Sequence, residues 1–184
     1  MPKTVKAPLQ ESNTIPRRVL KQFPPPRRSI GRIPLDEIVV IIRGIVTKRE
    51  GVRQDALIVL VAEKIGYGSS GSVVIAVIKK ALDEAVRRAV VYIENGGYLI
   101  DCRNIADYPS DLLREFFLSA VGRRWRTRDE AIHAAAEYLG FQKIAAAMRA
   151  QLVEEMELRI RSGELLLKDE KVRWTSTTPR RREE

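Results

Sequence analysis

The sequence has little of the chemistry that enzymes and metal sites use. Its 184 residues include one cysteine, Cys102, and one histidine, His133, which lies beside three alanines. One residue of each type is too few for a zinc site of the usual ligand number and spacing, and we expect neither a metal nor another cofactor. No Walker sequence is present, and Cys102 has no neighbouring motif that marks a nucleophile. The sequence therefore predicts a protein that is not an enzyme.

Long hydrophobic runs are absent as well. No apolar run reaches the roughly 18 residues that a membrane span needs. The first lysines are not followed by an apolar stretch, so we expect no secretory signal. A single cysteine cannot form an internal disulfide and fits a reducing compartment, which favours a cytoplasmic protein without a membrane partner.

Basic residues outnumber acidic residues by 33 to 24, and the formal net charge is +9. Residues 1–34 hold eight of the basic residues and a single acidic one, whereas 35–174 hold 22 basic and 21 acidic residues. Residues 1–34 also contain seven of the nine prolines, which disfavours helix. We interpret 1–34 as an extended basic arm without its own core, either a clamp on a phosphate backbone or a linker. Residues 175–184 are interpreted as a polar tail.

The segment between the arm and the tail contains an internal repeat. At an offset of 75 residues, Pro34 and the aliphatic stripe behind it match Pro109 and a second stripe. The same offset pairs Arg53 with Arg128, and from Gly66, which pairs with Gly140, the offset is 74. Two copies are too few for a solenoid. The repeat therefore predicts two similar domains, at 35–101 and 108–174, with 101–109 as the link between them.

Each copy has the periodicity of three helices followed by a hairpin. The first hairpin contains Asn95-Gly96, a dipeptide that favours a tight turn, and the second turns at Asp169-Glu170. Three helices and a two-stranded wing are the winged form of the helix-turn-helix. The predicted fold class is mainly α with small β-hairpins (α+β), as tandem winged helix-turn-helix domains. The predicted helices are 35–49, 53–65 and 71–88 in the first copy and 110–123, 128–139 and 142–162 in the second.

The first copy resembles a domain of unknown function found near the C-terminus of large bacterial helicase-like proteins. The resemblance lies in Ile33-Pro34-x-x-Glu37-Ile38, a Glu50-Gly51 turn, Gly66-Tyr67 after the second helix, and Ser70-Gly71-Ser72 before a long helix. Proteins of that kind often combine a superfamily-one helicase with an endonuclease-like domain. The resemblance implies an accessory role beside such a motor, which this chain does not itself contain.

Basic residues of the second copy fall into three groups that could form one face. Four arginines surround Trp125 at the first turn, polar residues begin the third helix, and further cations lie on the wing. Arginine suits phosphate contacts and also stacks on tryptophan. The alternative is that these charges are scattered and that Trp125 packs in the core. The candidate nucleic-acid-binding residues of the second copy are Arg123, Arg124, Arg126, Arg128, Gln142, Lys143, Arg149, Lys168, Lys171 and Arg173.

Two serines of the first copy, Ser70 and Ser72, precede its third helix and are further candidates. Free amides and hydroxyls at a helix start bind phosphate, although simple N-capping by either serine is the favoured interpretation. The helix that follows is unusually apolar from Val73 to Ile78. We expect part of that surface to be covered by the other copy or by a partner.

These features favour a non-catalytic module that binds duplex or junction DNA and positions it for a helicase or nuclease on another chain. The alternative is a protein-interaction or oligomerisation module, which includes a homodimer, that uses the apolar third helix of the first copy.

Overall fold

The structure is a computed structural model that describes residues 29–68 and 71–175. This part of the chain is α+β, with six helices and two small antiparallel sheets. Most of the predicted arm, Ser69, Ser70 and the tail from residue 176 lie outside the described residues, so the predictions made for them stay predictions. Within the described ranges, every helix is too short or too polar to cross a bilayer.

The same order of elements occurs twice: a 3₁₀ turn, a helix, a short strand, two helices and two strands. In the first copy these are the turn Ile30–Arg32, α1 Leu35–Val46, β1 Val52–Arg53, α2 Gln54–Ile65, α3 Ser72–Arg87, β2 Val91–Glu94 and β3 Gly97–Ile100. In the second they are the turn Ile105–Asp107, α4 Ser110–Val121, β4 Arg126–Thr127, α5 Arg128–Tyr138, α6 Ala146–Arg161, β5 Leu165–Lys168 and β6 Lys171–Trp174.

Glycines end the second helix of each copy as the sequence predicts. Gly66 follows α2 with φ of 103°, and Gly140 follows α5 with φ of 78°. Both lie in the left-handed region, which glycine enters without the steric cost that a Cβ imposes. The amides of Tyr67 and Phe141, one residue further on, donate to Ala62 and Ala136 in the preceding helical turn. The two helices therefore end in the same way.

Each sheet has three strands, one more than the predicted wing. The strand orders are β1-β3-β2 and β4-β6-β5, and all neighbours are antiparallel. Strands β1 and β4 are two residues long and lie between the first and second helices. Two residues are too few to show the alternation that identifies a strand in a sequence. Both were therefore expected to be turns.

The structure corrects the register of the repeat in the second helix. The buried residues are Leu57, Ile58, Val61 and Ala62 in α2 and Ala131, Ile132, Ala135 and Ala136 in α5, so the offset there is 74. The predicted match of Arg53 with Arg128 is wrong by one residue. The offset changes earlier, in the turn after the first helix, which spans five residues in the first copy (47–51) and four in the second (122–125).

Two hydrophobic cores follow the two copies. The first contains residues of 30–98 and the second residues of 102–172. Ile30 and Ile33 are buried in the first core, so the prediction of an arm without a core is wrong for residues 30–34. Cys102, Ile105 and Tyr108 are buried in the second core. Most of the predicted link 101–109 therefore belongs to the second copy.

Arg43, on α1, joins the first copy to the end of α5. Its guanidinium donates to the carbonyl oxygens of Leu139 (3.2 Å), Arg103 (3.0 Å) and Cys102. Its Cζ lies 3.8 Å from the centroid of the Phe141 ring. Carbonyls at a helix C-terminus lack intrahelical donors and lie at the negative end of the helix dipole. A buried cation is therefore suited to this position.

Arg88, just after α3, makes a second contact of the same kind. It donates to the Tyr138 carbonyl oxygen at 2.8 Å and stacks over the Tyr138 ring at 3.6 Å. It also forms ion pairs with Asp36 (2.6 Å) and Glu84 (2.7 Å). Both arginines come from the first copy, and both contact the C-terminal end of α5. Together they fix the position of the second copy relative to the first.

Candidate nucleic-acid interface

The pleat of β6 separates its basic side chains from the core. Val172 is fully buried, so Lys171 and Arg173 point to the opposite face because neighbouring side chains of a strand alternate. The register pairs Lys171 with Lys168 and Arg173 with Leu166, and directly paired residues share a face. The outer face of the second wing therefore carries three cations and one leucine.

The turn after α4 lies beside this face because β4 pairs with β6. Arg126 is opposite Val172, and Thr127 is opposite Lys171. Just before β4, Trp125 is 39% exposed, and the Arg173 guanidinium lies 4.6 Å from the centroid of the Trp125 ring. The alternative in which Trp125 packs in the core is wrong. We call this surface, together with the exposed Arg123 and Arg124 that precede Trp125 in the turn, the second-wing face; its residues are Arg123, Arg124, Trp125, Leu166, Lys168, Lys171 and Arg173.

Two lysines face each other across the second wing, on either side of the Asp169-Glu170 turn. Lys168 and Lys171 are a direct cross-strand pair, and like charges in that position repel. Lys171 does act on the Glu130 carboxylate, whose pKa is lowered mainly by the Thr127 amide and to a smaller extent by Lys171. In the described part of the chain, Arg123, Arg124 and Lys168 are exposed and form no ion pair.

Three of the predicted arginines are engaged by the protein itself. Arg126 donates through Nε to the Val121 carbonyl oxygen at 3.1 Å. Arg128 forms ion pairs with Glu157 and, at 3.5 Å, with Glu170. Arg149 forms an ion pair with Asp129 at the start of α5. The charges of Arg128 and Arg149 are therefore balanced by carboxylates, whereas Arg126 is bonded to a neutral carbonyl oxygen.

Gln142 and Lys143 do not begin the third helix as predicted, because α6 starts at Ala146. Both are exposed in the connection between α5 and α6. Gln142 lines a groove against the first copy, so it faces the junction of the copies. The structure therefore joins two of the three predicted groups, the turn and the wing.

Ser72 does not cap α3, which is one of the two cappings that the sequence predicts. The N-cap is Gly71, and no side chain accepts a hydrogen bond at that position. Ser72 is the first helical residue and is exposed, while Ser70 lies outside the described residues. Nothing in this arrangement favours Ser72 over any other exposed hydroxyl as a phosphate ligand.

The apolar start of α3 is explained mainly by the first core. Val74 and Ile78 are buried there, and Ile75 and Val77 pack against it at partial exposure. The exposed residues of this run are Val73, at 66%, and the small Ala76. The expectation that the other copy or a partner covers part of this surface is therefore not needed to account for its composition.

The first wing has a different outer face. By the pairing of its strands, the positions that match Lys168, Lys171 and Arg173 hold Glu94, Gly97 and Leu99. Tyr92 takes the place of Leu166, and Arg53 lies opposite Gly97. The two wings have the same backbone pairing but differ in charge.

Groups that could support catalysis are not brought together. Burial raises the pKa of the Cys102 thiol to about 11, so the thiol stays protonated and a poor nucleophile near neutral pH. His133 is exposed on α5, near Glu137 and Phe141 at a small cavity of about 190 Å³. Among residues 29–68 and 71–175, no three His, Cys, Asp or Glu side chains are grouped so that they could hold a metal ion.

Sequence reasoning missed the two arginines that join the copies and the contribution of Leu166 to the second-wing face. Arg43 occurs in an apolar helix at the position that matches Leu118 in the second copy. The sequence signal that could have identified Arg43 was a single charged residue within a helix stripe that was predicted to be buried. Leu166 required the cross-strand register, which the sequence alone does not fix.

Comparison of the chain with protein-family models, curated proteins and solved structures found no match.

Proposed function

We propose that the chain is a tandem winged-helix module that binds duplex or junction DNA through the second-wing face and has no catalytic activity of its own. The order helix, strand, helix, helix, strand, strand, with the first strand beside the last, supports the winged-helix assignment for each copy. The observation that carries the binding proposal is the difference in charge between two wings of the same topology.

A bound phosphate backbone would relieve the electrostatic repulsion between the cations of the second wing. Lys168 and Lys171 repel each other, and an anion between them converts that repulsion into attraction. Arg173 is held against Trp125, which fixes its position, and Arg123 and Arg124 extend the cationic surface along the turn. Contacts of this kind position a protein on nucleic acid without reading base sequence.

The accessory role is the second part of the proposal. Among residues 29–68 and 71–175, the hairpin of the second copy has a cationic outer face and the hairpin of the first copy does not. We propose that the module positions DNA for a helicase or nuclease supplied by another chain in a reducing cytoplasm. The choice of a helicase or nuclease as the partner rests on the sequence resemblance of the first copy, which stays a prediction.

The first test measures binding of a fluorescent duplex by anisotropy over a range of salt concentrations. We expect binding at low salt that weakens as salt rises. The double variant Lys168→Gln, Lys171→Gln should bind more weakly to all sequences. Its slope of log K against log salt should fall in magnitude by about 2, since each lost phosphate contact contributes about 0.9.

The control variant is Lys79→Gln, Lys80→Gln, which removes the same charge from exposed positions of α3. It should keep the native slope. Absence of binding at low salt would refute the proposal, and an equal loss in both double variants would show a response to net charge rather than to the second-wing face.

A further inference from the structure

A groove of about 460 Å³ lies on the outer side of α1 and α2, away from the residues of the second-wing face. Its floor is aliphatic and consists of Val40, Ile41, Ile45 and Leu60, all partly exposed. Gln142, from the connection between α5 and α6, forms part of its wall. The groove therefore lies at the junction of the two copies, whose relative position Arg43 and Arg88 fix.

Gly44 lies in the interior of α1 and lines the same groove. Glycine in a helix interior destabilises the helix relative to alanine. A Cβ at this position would meet no atom within 4 Å, so packing inside the protein does not require the glycine. Its absence of a side chain leaves the backbone of α1 open to close approach from outside.

Aromatic side chains occupy the equivalent positions between α4 and α5 in the second copy. Phe116 matches Ile41 and is buried, and Tyr138 matches Lys64. The two rings are 6.1 Å apart between centroids, and Arg88 covers Tyr138. The repeated fold therefore does not require an open groove between its first two helices. The opening is a property of the first copy.

The charges around the groove indicate what fits it. Lys48, Arg49 and Lys64 line its edge, and Glu63 is the one acidic residue among the groove residues. We infer that the groove docks an amphipathic helix of a protein partner, whose aliphatic side chains enter between α1 and α2 and whose acidic side chains meet the three cations. An aliphatic floor suits a helix in a groove, whereas a nucleic acid would leave it uncovered.

The test uses a labelled amphipathic helical peptide with leucines at i, i+3, i+4 and i+7 and glutamates on both sides of that stripe. A second peptide has lysines in place of the glutamates. We expect the full chain to bind the acidic peptide and to prefer it over the basic one. Gly44→Leu should weaken binding at least about tenfold, which is 1.4 kcal/mol, and Lys48→Glu with Lys64→Glu should weaken it as well.

Separate controls test whether a loss of peptide binding comes from unfolding or from a change in surface hydrophobicity. Leucine is a far better helix former than glycine, and position 44 has open space, so Gly44→Leu should unfold at the same or a higher urea concentration. Ala76→Leu places a leucine on an exposed position of α3 and should bind the peptide like the native chain. Lys168→Gln with Lys171→Gln should also leave peptide binding unchanged, which separates this site from the second-wing face.

Three results would overturn the inference: no binding of the acidic peptide, equal binding of both peptides, or native affinity in Gly44→Leu. Loss of duplex DNA binding in Gly44→Leu would assign the groove to nucleic acid and would equally overturn it.

Discussion

Three charged residues are buried in the described part of the chain, and two of them connect the copies. Within residues 29–68 and 71–175, Arg43 forms no ion pair with a carboxylate and is held by carbonyl oxygens and an aromatic ring. Gly140 faces the Arg43 side chain, and a Cβ there would lie 3.3 Å from it. The side chain, the helix end and the glycine therefore form one contact, in which each part depends on the others.

Replacing Arg43 with methionine should destabilise the protein strongly. The change keeps an apolar stem but removes the donors to the Leu139, Cys102 and Arg103 carbonyl oxygens. We expect a loss of roughly 3 kcal/mol in the free energy of unfolding, since each orphaned buried acceptor costs about 1–3 kcal/mol. Urea unfolding measures it. The control is Arg103→Ala, whose exposed ion pair with Glu50 should contribute less than about 1 kcal/mol; equal effects of both variants would contradict this account.

Glu84 organises the second arginine contact and should make stability depend on acid pH. The Arg87 side chain, opposed by partial burial and helped by Arg88, lowers the pKa of Glu84 from 4.5 to about 2. A lowered carboxyl pKa stabilises the folded state above the unfolded value, and that stabilisation is lost as pH falls through the folded value.

The measurement compares the native chain with Glu84→Gln by urea unfolding between pH 7 and pH 2. The native chain should be the more stable above about pH 4.5, and the difference should shrink as pH falls towards 2. A difference that stays constant over this range would show that the Glu84 charge does not stabilise the fold.

At the scale of elements, the turn after the first helix is one residue longer in the first copy than in the second. This difference determines whether the third strand of the sheet has room for a side chain beside the turn. The five-residue turn of the first copy brings Gly51 against β3, where its amide donates to the Tyr98 carbonyl oxygen at 3.0 Å. A Cβ on Gly97 would lie 2.7 Å from the Gly51 carbonyl oxygen. The second copy has a shorter turn, and the matching position carries Lys171, a residue of the second-wing face.

Gly97→Ala should therefore destabilise the first sheet. The added methyl overlaps backbone atoms that cannot rotate away, and overpacking of this kind costs roughly 1–3 kcal/mol. Lys171→Ala is the matched change in the second sheet, where a side chain is already accommodated, and should have a small effect on the free energy of unfolding. Chemical denaturation of both variants checks this, and a neutral Gly97→Ala would show that the turn yields easily.

The elements themselves were largely predictable from the sequence. All six helices and both hairpins lie within a few residues of their expected positions. They were predictable because apolar stripes with a 3.6-residue period and turn dipeptides depend only on local structure. The two-residue strands were not predicted because they are too short to show an alternating pattern. The alignment of α5 with α2 was wrong by one residue because Ala134, Ala135 and Ala136 are alike and give no single apolar position to align. The contacts of Arg43 and Arg88 depend on how the copies pack, which no local pattern encodes.

The candidate site was predictable only in part. The arginine-rich turn and the wing were identified as basic groups, and the strand pairing brings them together. Charge alone did not show that Arg128 and Arg149 are balanced by Glu157 and Asp129. Those partners are distant in sequence, so only the fold reveals which cations are available to a ligand.

At the scale of the whole molecule, the two copies are alike in topology and different in surface. The first contributes the arginines that hold the junction and has an open groove between α1 and α2. The second contributes the cationic wing. Because the two copies differ in this way, each can bind a different partner. We propose that the second copy binds nucleic acid and that the first copy binds a protein.

The most direct test of the nucleic-acid proposal locates the contact within the full chain. Backbone amide signals are recorded by NMR while a short DNA duplex is added at low salt. The account predicts that the shifts concentrate in residues 123–127 and 166–173 and that the first wing, 91–100, is little changed. Shifts concentrated on the first wing or on α3, with the second-wing face unaffected, would contradict it.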